Sequence, residues 1–513
     1  MGLKHLRRIA TGADVVRADR KLDRVEAETL MRQIASDPNV EYVEVDKLNK
    51  PMLTPNDPSY GQQWGYSGTY GIRANQAWDV TNGAGAVVAV LDTGITNHSD
   101  LNANILPGYD FIVDTAVSND GNGRDSDPSD PGDWVTANQC GGTHAAQNSS
   151  WHGTHVAGTI AAVTNNAKGV AGVAHGAKIV PVRVLGTCGG YDSDIADAII
   201  WASGGTVSGV PANANPVEVI NMSLGGPSGK CGTTMQNAIN SAVGRGAAIV
   251  VSAGNYDSDA SIQSPANCSN VITVAATDSS GVRAEFYFGG SNYGSVVDVA
   301  APGKNILSTL NAGAATPGSE NYVYYEGTSM AAPHVAGVVA LMQSAAQMPK
   351  TPAEVEQILK ETALPFSSAQ DKPIGAGIVS AVGAVNAVIA RAYIGDGRYQ
   401  AVSGGAVFVN LGVNGRSGQA PRNAKIDAFI EYNPRSATPM SHMDVDLVGP
   451  SGNAYRLYSG DSRSLGEAYV LDLSNEPMNG TWKLKVTTTA LPGGDTAYPY
   501  VNYHGIDQWT LTM

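Results

Sequence analysis

Five short, almost uninterrupted apolar runs constrain the middle of the chain more than any other feature. They are AVVAVLD (86–92), KIVPVRVL (178–185), VEVINMSL (217–224), AAIVVSAG (247–254) and NVITVAAT (270–277). A strand that faces water on one side alternates polar and apolar residues, whereas a strand covered on both faces does not. Between the runs lie stretches with helical spacing: GTHVAGTIAAV (153–163), SDIADAIIWAS (193–203) and TMQNAINSAV (234–243). Strands alternating with helices predict an α/β domain built on a mostly parallel sheet. Two more helices are expected after it. MAAPHVAGVVALMQSAA (330–346) is apolar all round and so buried. TPAEVEQILKETA (351–363) offers Thr351 as N-cap and Pro352 as first helical residue.

The ends of the chain read differently. Residues 1–52 form a small α+β piece, with an amphipathic helix at 24–38 and an alternating strand at 39–46. Three prolines in KPMLTPNDPSYGQQW (50–64) mark a linker or processing site. Beyond about residue 394, helical spacing stops. IDAFIEY (426–432), MDVDLVG (443–449), TWKLKVT (481–487) and QWTLTM (508–513) alternate with period two, which predicts an all-β sandwich. The expected boundaries are 1–52, 53–393 and 394–513.

Composition narrows the function. The net charge is -14, and residues 1–52 contribute ten basic and nine acidic side chains, or +1. The remaining 461 residues therefore carry -15, which argues against nucleic acid as a partner. No apolar run reaches the length of a membrane span. The start, MGLKHLRRIATGADVV, has no apolar secretion core, so a secreted reading expects a signal upstream of these residues. The four cysteines contain no C-x-x-C pair and permit three disulfide connectivities. We favour Cys140–Cys188 and Cys231–Cys268.

Four segments carry chemistry: AVLDTGI around Asp92, SSWHGTHVAG around His152, VVSAGN ending at Asn255, and EGTSMAAPHVAG around Ser329. A serine hydroxyl needs a base to become a nucleophile, and the base needs an orienting carboxylate. Ser329 opens the buried helix, where free N–H groups and the positive dipole end favour a developing oxyanion. His152 is the expected base, Asp92 the carboxylate and Asn255 a second oxyanion donor. His152 and His155 lack the Glu of an H-E-x-x-H zinc pair, and Ser329 is not in a G-x-S-x-G elbow.

On these motifs the sequence resembles the subtilisin-like serine proteases, with D-T-G, H-G-T-H-V-A-G and G-T-S-M-A-A-P-H-V-A-G in the order Asp, His, Ser. The resemblance covers roughly residues 53–390. It implies a subtilisin-like fold, a triad of Asp92, His152 and Ser329, and Asn255 in the oxyanion hole. It further implies cleft walls at Ser223, Leu224 and Gly225 and at Ser252, Ala253 and Gly254, against which an extended polypeptide substrate would lie. Residues 1–52 resemble the back half of a subtilase propeptide, which implies an intramolecular inhibitor. The C-terminal pieces D-L-V-G-P-S-G, N-G-T-W-K-L-K-V and W-T-L resemble the P domain of proprotein convertases, a jelly-roll-like sandwich.

Structural calcium is the expected cofactor. Asp120, Asn122, Asp125 and Asp127 form a dense oxygen cluster, whose alternative reading is a solvated acidic loop. The family resemblance places a second site at Asp100 and Asn165, although the loop TNNAKGV is one residue longer than usual. The reading as a whole is a secreted serine endopeptidase made as a self-processing precursor. Its competitors are an inactive subtilase-fold protein that binds through its sandwich, and an esterase without peptidase activity.

Overall fold

The structure is a computed structural model. It describes residues 3–9 and 12–20, short pieces between 30 and 43, residues 54–391 apart from 144, 288, 347, 348 and 371, and the strands of 406–512 with the turn 449–453 and residues 473 and 475–477. The helix expected at 24–38 and the strand at 39–46 lie largely outside the described residues. So do the boundaries at 52–53 and 393–394.

β1 (Leu3–Arg8) and β2 (Asp14–Ala18) form an antiparallel hairpin. The central domain then follows the expected order: β3 (Val87–Asp92), β4 (Tyr109–Asp110), α1 (His152–Ala161), β5 (Lys178–Arg183), α2 (Asp192–Ala202), β6 (Val219–Met222), α3 (Thr233–Val243), β7 (Ala248–Ser252), β8 (Ile272–Thr277) and β9 (Val299–Pro302). These seven strands make one parallel sheet in the order β9-β8-β7-β6-β3-β5-β4. The apolar runs are continuous because both faces are covered. Val88 and Val90 of β3 join one core with α1 and the long helix that begins at Thr328. Ala89 and Leu91 join a second core with α2 and α3.

A hairpin that sequence reasoning did not anticipate, β10 (Ile306–Asn311) with β11 (Glu320–Tyr325), packs on α1. It is followed by α4 (Thr328–Ala345), α5 (Pro352–Glu361) and α6 (Ala381–Arg391). Almost every residue of α4 from Thr328 to Met342 is buried, as its unbroken apolar pattern requires. α5 carries the expected cap: Thr351 and Glu354 form a reciprocal capping box, with Pro352 in the first turn.

The C-terminal part is all-β. β12 (Ala406–Val413), β13 (Ala424–Tyr432), β14 (Met440–Val448), β15 (Ala454–Gly460), β16 (Ser464–Leu471), β17 (Gly480–Ala490) and β18 (His504–Thr512) form two antiparallel sheets, ordered β12-β17-β14-β15 and β16-β13-β18. Trp482, Val445 and Leu447 are fully buried, so the alternation seen in TWKLKVT and MDVDLVG does mark an inner face.

Candidate active site

The site lies at the carboxyl ends of the central strands, where an open parallel sheet leaves a crevice. Asp92 is the last residue of β3 and is wholly buried. His152 is the first residue of α1, and its Nδ1 lies 2.8 and 2.9 Å from the two carboxylate oxygens of Asp92. Gly153 permits this approach. A Cβ there would come within 2.2 Å of the Gly94 carbonyl and 3.2 Å of the Asp92 Cβ. Burial works against charge on the His152 ring, but the Asp92 carboxylate and, after it, Asp133 and Asp130 outweigh burial and raise its pKa.

Ser329 sits in the first turn of α4, after Gly327 at φ +147°. Pro333 lies inside that helix and has no N–H, so the Ser329 carbonyl four residues earlier lacks its helical partner. Ser223 supplies one: its hydroxyl donates to the Ser329 carbonyl at 2.8 Å. In return the Ser329 hydroxyl donates to the Ser223 carbonyl at 3.2 Å. Asn221 Nδ2 donates to the Ser223 hydroxyl at 3.0 Å and fixes its rotamer. The expected wall residue Ser223 therefore also holds the turn that carries Ser329.

Asn255 is anchored by its oxygen. Its Oδ1 accepts from the Thr328 N–H and the Thr328 hydroxyl, both at 2.8 Å. That leaves the amide NH2 as a donor next to the first turn of α4. Ser223, Leu224 and Gly225 follow β6, and Ser252 ends β7 ahead of Ala253 and Gly254, so the two expected walls leave neighbouring strands of the sheet. Gly225 and Gly254 adopt φ +153° and +102°. A cleft of about 420 Å³ runs past His152 and Ser223, lined further by Asp133, Ser150 and Leu185. The Cys140–Cys188 disulfide borders it, and Cys231–Cys268 is the second bond, as favoured from sequence.

His155 and His334 are structural. His155 Nε2 meets the carbonyls of Ile306 and Val323, its ring stacks on Tyr325, and burial pulls its pKa down to about 3. Burial likewise brings His334 down to about 4.

Subtilases commonly hold structural calcium, which wants converging oxygen acceptors. The expected ligands do not fit that requirement as they are disposed here. Asp100 is buried, and its oxygens accept from Asn166 Nδ2 (2.7 Å), the Val170 N–H (3.0 Å) and the Tyr322 hydroxyl (3.2 Å). Asn165 turns away and accepts from the Asn56 N–H. In the acidic loop, Asp120 binds the cationic Arg183, and Asn122 donates to Asp125. Asp125 and Asp127 cap the N–H groups of Asp127 and Ser129. Among the described residues, no group of three or more His, Cys, Asp or Glu gathers as a metal site. These bonds are compatible with the alternative reading, a solvated acidic loop.

Sequence reasoning missed the groups behind His152. Thr93 donates to the buried Asp130 at 2.7 Å and accepts from the Gly153 N–H. Asp133 accepts from Ser150. Both carboxylates follow closely on the acidic cluster at 120–127, and only the fold shows their place beside the start of α1.

A parallel sheet with an Asp–His pair at one strand end and a serine at the mouth of a buried helix defines a subtilisin-like protein. The sequence profile of the subtilase family matches residues 83–383, and that of the proprotein convertase P-domain matches residues 435–513. An extracellular protease of Xanthomonas campestris is 62% identical over 390 residues, covering 76% of this chain and 66% of its own length. An extracellular basic protease of Dichelobacter nodosus is 46% identical over 518 residues, covering 95% of this chain and 83% of its own. A solved protease from Pseudoalteromonas arctica superposes with a TM-score of 0.63 at 57% identity, over 66% of this chain and all of that one. The chain belongs to the subtilase family of serine endopeptidases, and its residues 435–513 match the P-domain. The family's substrates are polypeptides. Among the described residues no helix is long and apolar enough to cross a membrane.

Proposed function

We propose that the chain is a secreted serine endopeptidase that uses Asp92, His152 and Ser329 as its triad. The observation that carries the proposal is the bond from His152 Nδ1 to both oxygens of a fully buried Asp92. A carboxylate so placed fixes the imidazole tautomer that carries its proton on Nδ1, leaving Nε2 as base. Ser329 attacks the scissile carbonyl while His152 takes its proton, and an acyl-enzyme forms as the C–N bond breaks. His152 then gives that proton to the leaving amine. Water deacylates the serine by the same relay. Asn255 Nδ2 and the Ser329 N–H hold the oxyanion. The substrate runs as an extended strand between Ser223–Gly225 and Ser252–Gly254.

Secretion is supported by two disulfides, which persist in oxidising surroundings, and by the extracellular relatives. In the proposed organisation residues 1–52 are a partial propeptide that inhibits in cis until it is cut near residues 50–57. Residues 53–393 are catalytic, and 394–513 form the P domain that stabilises them. No step is routed through calcium.

Casein hydrolysis by the secreted protein and by Ser329→Ala and His152→Ala tests the mechanism. Loss of peptide cleavage in both variants, with the fold retained, is expected. Cleavage that survives Ser329→Ala refutes it. N-terminal sequencing with intact mass of the secreted material tests the maturation cut.

A further inference from the structure

The residues just before His152 are held from two sides. On one side is the turn of the β10–β11 hairpin. The Ala314 carbonyl accepts from the Ser149 N–H at 2.8 Å, and the Gly313 carbonyl accepts from the Trp151 indole at 2.7 Å. The Tyr325 hydroxyl of β11 donates to the Ser150 carbonyl at 2.8 Å. On the other side is a single carboxylate, Asp133. Its Oδ1 accepts from the Ser150 N–H at 2.6 Å and its Oδ2 from the Ser150 hydroxyl at 2.7 Å. The same hydroxyl accepts from the His152 N–H at 3.3 Å. Exchanged bonds between Val135 and Gln147 bring the two segments side by side.

We propose that Asp133 is a positioning residue for His152, acting through Ser150 to fix the start of α1 and adding a second carboxylate beside the imidazole. This rests on the reading of His152 as the general base. The first N–H groups of a helix have no helical acceptor. Here the N–H of the base itself is satisfied by a hydroxyl whose direction a carboxylate sets. Two bonds from one serine to one carboxylate leave that hydroxyl a single rotamer, and a charge-assisted bond is stronger than a neutral one.

The charged and titratable groups facing His152 are few. Asp92 contacts the ring directly. Asp130 and Asp133 act on it through space. Burial pushes Asp130 up to about 7, so around neutral pH it is partly protonated. His155, one turn along α1, is kept neutral by burial, and burial raises the Tyr325 hydroxyl, which also stays neutral. Asp133 is therefore the carboxylate other than Asp92 whose removal changes the field at the ring most simply.

The test is the pH profile of kcat/KM on a peptide amide for Asp133→Asn, Asp133→Glu and Ser150→Ala, alongside His152→Ala. Asp133→Asn keeps an oxygen for Ser150 and removes the charge, so its acid limb moves to lower pH while the plateau falls far less than the roughly 100-fold or more that loss of the base itself costs. Asp133→Glu keeps the charge and displaces the clamp, so its midpoint stays and kcat falls. Ser150→Ala also lowers kcat without moving the midpoint. Inactivation rates with phenylmethylsulfonyl fluoride, followed against pH, give the same midpoints without peptide binding. If Asp133→Asn folds poorly, the Asp133→Glu and Ser150→Ala pair still decides. Profiles that superpose on the unsubstituted enzyme overturn the proposal, as does an effect confined to KM, which would make Asp133 a substrate contact. Activity surviving in His152→Ala instead overturns the reading of the base and is seen separately.

Discussion

Ser223→Ala removes one oxygen and orphans a buried amide and a half-buried carbonyl. The Ser329 carbonyl loses its donor at 2.8 Å, and the Asn221 amide loses its acceptor at 3.0 Å. A buried polar group left without a partner costs about 1–3 kcal/mol, so the variant is expected to lose about 2–5 kcal/mol, the upper part being tempered by relaxation. The carbonyl needs Ser223 only because Pro333 has no N–H to give it. Pro333→Ala supplies that N–H within the same helix. The two substitutions should therefore couple: Pro333→Ala recovers about 1–2 kcal/mol more in the Ser223→Ala background than alone, whereas independent sites add within about 0.5 kcal/mol. The Asn221 loss is common to both arms and cancels. Urea denaturation in a Ser329→Ala background avoids autolysis and keeps the carbonyl in place. Activity in the active background should follow, with kcat falling in Ser223→Ala and partly recovering in the double variant. Additive effects would show that the Ser329 carbonyl does not depend on Ser223, and the account of this turn would fail.

Four further outcomes are expected. Asn255→Ala should lower kcat about 100- to 1000-fold with little change in KM, the range known for the corresponding amide of subtilisin, and near-normal turnover would remove Asn255 from the oxyanion hole. Because the carboxylate of Asp92 raises the pKa of His152 despite burial, kcat/KM should rise with pH through a midpoint above the ordinary histidine value of about 6.5. The protonated ring's contribution to folding stability is complete below the unfolded value and is lost as pH rises through the folded one. Tyr322→Phe should cost about 1 kcal/mol by removing a donor to Asp100. The melting-temperature shift caused by a chelator should be equal in the unsubstituted and Asp100→Asn proteins, and a smaller shift in the variant would place an ion at Asp100.

The parts of this protein that could be read from its sequence share a physical basis. Runs such as AVVAVLD announce a doubly covered sheet because burial on both faces leaves no polar phase in the pattern. Trp482, Leu484 and Val486 announce an inner face by strict alternation. Asp92 and Asn255 stand at the ends of such runs, whereas His152 and Ser329 open helices and are read from their motifs. Asp133 and Ser150 were illegible for the opposite reason. Their partnership depends on a ladder between residues 135 and 147 and on a hairpin turn at 313–315, neither of which leaves a period in the sequence. The calcium candidates could not be sorted from sequence, because a carboxylate's oxygens look the same there whether they face a cation or an N–H. Arg183, distant in the chain, and Tyr322, more distant still, decide what Asp120 and Asp100 hold.

The helices that carry His152 and Ser329 each follow a residue of positive φ, and at one of them that residue is unexpected. Both helices begin just after a residue of positive φ: Gly327 before α4 and Trp151, at φ +51°, before α1. Gly327 is extended at ψ +164°, whereas Trp151 adopts the left-handed helical conformation at ψ +31°. Glycine adopts it freely, whereas a tryptophan costs roughly 1–2 kcal/mol there. Trp151 is nonetheless 1% exposed, and its indole N–H is satisfied by Gly313. Burying a large aromatic side chain contributes about 3 kcal/mol, which outweighs the strain. A glycine at 151 would relieve the backbone and lose the indole anchor, leaving the start of α1 to the Asp133–Ser150 and Tyr325–Ser150 bonds and the imidazole to Asp92. The strained residue thus stabilises the turn that its own side chain fills, and the geometry of His152 is set by the packing of a hairpin more than 150 residues further along the chain.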